Sequence, residues 1–85
     1  MHRTSAIMNG LGYPSPDGGP RVLVPLPPNG REAGWSYDVG TYISGCYVRV
    51  TSPSFTQDLI VAAEASAVLA DLRCLLYPRG VRVRG

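Results

Sequence analysis

Between Pro53 and Pro78 run 24 residues, Ser54–Tyr77, with neither proline nor glycine, in an 85-residue chain that holds 10 Gly and 8 Pro. The stretch FTQDLIVAAEASAVLADLRCLLY is rich in Ala and Leu, both strong helix formers. Pro53 blocks helix before it, and Ser54 stands three residues ahead of Gln57, the spacing of a capping box. Pro78 and Gly80 supply a stop. The pattern predicts one long helix over 54–77, with the rest of the chain arranged around it.

At 100° per residue that helix carries two apolar seams. Val61, Ala65, Val68, Leu72 and Leu75 form a bulky seam suited to a sheet. Ala63, Ala67, Ala70 and Cys74 form a second seam of small side chains, suited to close approach by another helix or backbone. Gln57, Glu64 and Asp71 on one side, and Ser66 and Arg73 on the other, separate the two. One small sheet covers one seam. The chain is too short to cover the other as well, so Ala63, Ala67, Ala70 and Cys74 are read as an interface.

The length allows one small domain, and a chain this size often relies on outside support. Residues 21–85 are expected to form it, behind an extended arm over 1–20 that carries Asn9-Gly10, Gly12, Pro14, Pro16, Asp17-Gly18-Gly19 and Pro20. A Gly/Pro arm of this kind gains order by lying on a neighbour. Arg21–Leu26 alternates as a strand whose Pro25 and Pro27 confine it to an edge. Residues 35–51 form the main strand region, bent at Gly40 and Gly45, and a hairpin is expected between 21–26 and 41–50. Val81–Arg84 alternates again and, after a helical crossover, would lie parallel to the main strand. A strand over 41–51 spans about 36 Å and a helix over 55–76 about 33 Å, so each covers the other. The expected fold is α+β: a mostly antiparallel sheet of two to three strands packed on one long C-terminal helix.

The net charge of +2 is unevenly placed. Residues 1–53 hold four Arg and three acids (+1), 54–77 one Arg and three acids (−2), and 78–85 three Arg (+3). Arg79, Arg82 and Arg84 could each neutralise a phosphate, which makes a small nucleic-acid-binding module the second reading. Trp35, Tyr37, Tyr42 and Tyr47 could stack on bases, yet only Arg49 lies among them, so core and interface packing is preferred. Pro25, Pro28 and Arg31 have the spacing of a proline-rich ligand, but a stiff loop is the preferred reading.

Catalytic and cofactor patterns are missing from the sequence. Its one histidine, His2, sits in the terminal arm, leaving a triad or metal cluster without its usual member. Gly10-Leu11-Gly12 has neither the preceding strand nor the following helix of a phosphate loop. Cys46 and Cys74 fall about 11 Å out of step along the expected strand and helix, beyond disulfide reach, and are read as buried free thiols. Glu64, Asp71 and Arg73 count against a membrane span through 59–76, and no signal-peptide core follows Met1.

These readings converge on a non-enzymatic structural subunit without metal or cofactor, cytoplasmic or in a virion, that assembles with copies of itself or a larger structural protein. Phage capsid-decoration and head–tail subunits are the analogy, drawn from the arm-plus-helix description alone.

Overall fold

A computed structural model describes residues 5–6 and 10–85. Its strands are β1 (Ser5–Ala6), β2 (Gly10–Tyr13), β3 (Val22–Pro25), β4 (Ser36–Tyr42), β5 (Gly45–Thr51), β6 (Thr56–Val61) and β7 (Arg82–Arg84). The helix α1 (Ala65–Leu76) lies between β6 and β7 and runs into a single 3-10 turn, Tyr77–Arg79. One sheet has the order β1-β2-β3, the other β6-β5-β4-β7.

The expected long helix is corrected in its first half. Thr56–Val61 is a strand, and α1 starts only at Ala65. Local propensity is a weak prior here, overridden by pairing with β5 that matches Cys46 with Val61, Val48 with Leu59 and Val50 with Gln57. The same residues that suit one turn of a helix also alternate: Val61 and Leu59 turn inward, Asp58 and Thr56 outward. The capping box does not form. Ser52 makes the turn instead: its Oγ accepts from the N–H groups of Ser54 (3.2 Å) and Phe55 (3.1 Å), and its own N–H donates to the Phe55 carbonyl at 2.8 Å.

The α+β expectation therefore gives way to a sheet-dominated domain with one short helix. The four-stranded sheet is mixed: β4–β5 and β5–β6 are antiparallel, and β4–β7 is parallel. The last strand is parallel, as expected, but its partner is β4 at Ser36–Asp38 and not residues 41–51. The hairpin proposed between 21–26 and 41–50 is absent. β3 pairs with β2, and β4 with β5.

One face of the large sheet carries Tyr37 and Val39, Cys46, Val48 and Val50, Val61, and Val83, all buried. Two covers share that face. α1 lies by β4, β5 and β7 and contributes Val68, Leu72 and Leu76; β3 lies by β5 and β6, and the small sheet contributes Leu11, Tyr13 and Val24. Residues 10–13, expected in the free arm, thus complete this chain's own core. The parts of the expected arm at 1–4 and 7–9 fall outside the described residues. Hydrogen bonds lock the two covers in place: the Tyr13 hydroxyl to Asp71, the Tyr37 hydroxyl to the Pro25 carbonyl at 2.6 Å, and the Ala62 N–H to the Pro14 carbonyl at 2.8 Å.

Candidate interaction surfaces

The β4–β5 hairpin turns on two residues, Ile43 and Ser44. The turn is possible because position 45 is glycine. Its φ is 149°, and a Cβ there would sit 2.0 Å from the Val61 carbonyl oxygen of the neighbouring strand. The consequence is an isoleucine held out in solvent, 98% exposed, next to Tyr42 (51%), with Tyr47 (38%) further down the same hairpin opposite Gly40. Tyr47 lies over Gly40, its ring occupying the place of a side chain there. Single exposed apolar residues are ordinary, but three large ones along the end of one hairpin form a patch.

The other end of the sheet is concave. Two grooves meet at Trp35, which is held by stacking on Tyr37 (centroids 6.4 Å apart) and by an edge contact with Phe55 at 5.5 Å. One, of about 410 Å³, has walls of Pro28, Ala33, Trp35 and Pro53, with Arg31 at its side. The second, of about 640 Å³, is lined by Trp35, Ser36, Glu32, Arg79 and Arg82. The loops shaping them are pinned by Arg31 N–H to Pro28 carbonyl (2.9 Å) and Trp35 N–H to Glu32 carbonyl (3.1 Å).

The outer face of the large sheet carries a charge ladder. Register places Arg84, Asp38, Arg49 and Asp58 in one row across β7, β4, β5 and β6, with alternating sign. Arg84 pairs with Asp38 at 2.9 Å, and Arg49 with Asp58 at 2.8 and 3.0 Å. Asp58 holds the Arg49 guanidinium above its usual range, and Arg49 holds the Asp58 carboxyl below its own. Arg79 is engaged as well, donating to Glu32 and to the Pro28 carbonyl; its hydrogen bond keeps Glu32 below the ordinary carboxylate range. Of the three arginines offered to phosphate, Arg79 and Arg84 are thus neutralised by acids the structure brings from elsewhere. Among the described residues, Arg82 makes no ion pair.

Of the residues assigned to the small seam, only Ala67, Ala70 and Cys74 lie on α1. Ala63 precedes α1 and packs on the core. Ala63 and Ala67 line a cavity of about 340 Å³ with Tyr13, Pro14, Glu64 and Asp71, whereas Ala70 and Cys74 face solvent. The bulky seam is also adjusted. Val68 and Leu72 are buried as expected, but Leu76 completes the row and Leu75 stands exposed. Both cysteines are free; Cys46 is buried and Cys74 exposed, which corrects the expectation of two buried thiols.

No group of three or more His, Cys, Asp or Glu side chains lies together among the described residues, and His2 falls outside them. No described helix is long and apolar enough to cross a membrane. No protein-family model, curated protein or solved structure matches the chain. Its function is read from these surfaces alone.

Sequence reasoning missed Ile43. Isoleucine is a strand former and Ile-Ser carries no turn signature, so residues 35–51 read as one bent strand. The available signal is Gly45, which marks a reversal and not a bend.

Proposed function

We propose that the protein is a non-enzymatic structural subunit that builds into a larger assembly, with copies of itself as the first partner. The observation that carries the reading is the tip patch of Tyr42, Ile43 and Tyr47, with Ile43 98% exposed. Burying one isoleucine side chain in a contact stabilises it by about 1.5–3 kcal/mol, so leaving this one in water forgoes a sizeable gain unless a partner covers it. The analogy with virion subunits drew on a free arm and a long helix. With residues 10–13 in the core and the helix reduced to 65–76, it now draws on small size and exposed contact surface.

Sedimentation of the intact chain over a micromolar concentration series tests the proposal. A mass that rises with concentration supports it; a single monomeric boundary throughout overturns self-association. The second reading, nucleic-acid binding through Arg79, Arg82 and Arg84, loses support because two of the three are held by Glu32 and Asp38. A salt titration of oligonucleotide binding separates the readings, since phosphate contacts weaken steeply with added salt.

A further inference from the structure

We infer that copies of this chain join head to tail, the Ile43 tip of one seated in the Trp35 groove of the next. This rests on the self-association proposed above and specifies its surfaces. The two surfaces lie at opposite ends of the same hairpin. Ile43 and Ser44 join β4 to β5 at one end; Trp35 precedes β4, and Ser52 to Ser54 follow β5, at the other. A knob and a hollow on opposite ends of one molecule cannot meet within it. They meet between copies related by a heterologous contact.

Shape and polarity agree. The tip presents Ile43 with Tyr42 beside it, and the 410 Å³ groove offers apolar walls in Pro28, Ala33, Trp35 and Pro53. Its volume lies within the range of pockets that enclose a small ligand and exceeds what one isoleucine side chain fills. Charge agrees as well. At the groove end Arg31 and Arg82 make no ion pair among the described residues. At the tip end the β6–α1 link carries Glu64, exposed and likewise without an ion pair among them. A tip-to-tip contact would bring the two Glu64 carboxylates to the same junction, and a groove-to-groove contact the arginines. The head-to-tail arrangement sets opposite charges together, which selects register and partner more than it adds affinity.

The test is a pair of surface variants and their mixture. Ile43→Asp spoils the tip, and Ala33→Arg fills the groove; both positions are solvent-exposed, so neither change touches the core. Each variant alone should need at least tenfold more protein than the wild type to associate. Mixed in equal amounts, they should form a 1:1 dimer and stop there, because the first retains a groove and the second a tip. Trp35, the chain's one tryptophan, should shift its emission to the blue as the dimer forms. Variants that associate as the wild type does, or a mixture that stays monomeric, overturn the tip-in-groove contact and leave self-association standing. A wild type that is itself monomeric throughout overturns both.

Discussion

The Tyr13 hydroxyl donates a 2.7 Å hydrogen bond to Oδ2 of Asp71, linking β2 to the middle of α1 across 58 residues of chain. Tyr13 is 1% exposed, so its ring is a core element and its hydroxyl a strut between the two covers of the large sheet. Tyr13→Phe keeps the ring and removes the strut. A hydrogen bond to a charged partner contributes about 1.5–3 kcal/mol, and the half-exposed Asp71 puts the expected loss at the low end of that range. A lowered urea midpoint with an unchanged slope is the expected result; an unchanged midpoint would show that the strut carries no stability.

Gly45→Ala should be among the most damaging single changes in the chain. A Cβ there collides with backbone, not with a side chain that can swing away. We expect a loss of about 3 kcal/mol or more from the combined clash and strain, read by thermal unfolding. Gly40→Ala is the comparison. Its obstacle is the ring of Tyr47, a partly exposed side chain that can move, so the loss should be clearly smaller.

The two thiols should separate cleanly in a labelling experiment. Cys74 is exposed and should react with a maleimide in the folded protein, while Cys46 should react only on unfolding. Burial also pushes the Cys46 thiol up, which lowers its thiolate fraction further. Equal labelling of both in the native state would contradict the buried position of Cys46 on β5.

Stability should fall on both sides of neutrality for different reasons. Hydrogen bonds hold Asp17 (Ser15 hydroxyl), Glu32 (Arg79) and Asp58 (Arg49) below their ordinary values of 3.8, 4.5 and 3.8. Their contribution is present above those values and is lost as pH falls below them, because the unfolded chain takes up protons first. Asp17 and Asp58 are solvent-exposed and Glu32 is partly so, so this acid limb should be shallow and should shrink in high salt. The alkaline limb has the opposite sign. Burial pushes Tyr37 above its ordinary 10.0 and Cys46 above 9.0, so the folded state keeps these protons longer and stability declines as pH rises through that range. Tyr37→Phe should cost about 1 kcal/mol at pH 7 through the lost bond to Pro25 and flatten the loss above pH 10. A variant with the wild-type alkaline slope would assign that limb elsewhere.

The elements that could be read from the sequence were those whose pattern and environment agree. Val22–Pro25 and Arg82–Arg84 are strands that alternate as expected, and Val68 and Leu72 face the core from a helix. The failure at Thr56–Val61 has a physical cause: Leu59, Ile60 and Val61 suit both periods over so short a run, and the choice was made by β5 alongside. Gly10–Tyr13 resembled coil because glycine is rare in strands. Here Leu23 covers Gly10 from the neighbouring strand, filling the space where a side chain would stand. The later start of the helix also takes Ala63 out of the seam read from the sequence. Ala63 lies before the helix and Ala67 faces a cavity, so only Ala70 and Cys74 remain on the open surface.

The parallel pairing of β7 with β4 also has a consequence for synthesis. β4 is complete at residue 42, but its second neighbour is not made until residue 84. For that interval the strand bearing Tyr37 and Val39 has one edge unpaired, and the covering helix has not yet emerged. An open edge of this kind is a template for any compatible strand until β7 arrives to fill it. The large sheet therefore closes last along β4, and a chain that stops short of residue 82 should keep that edge open.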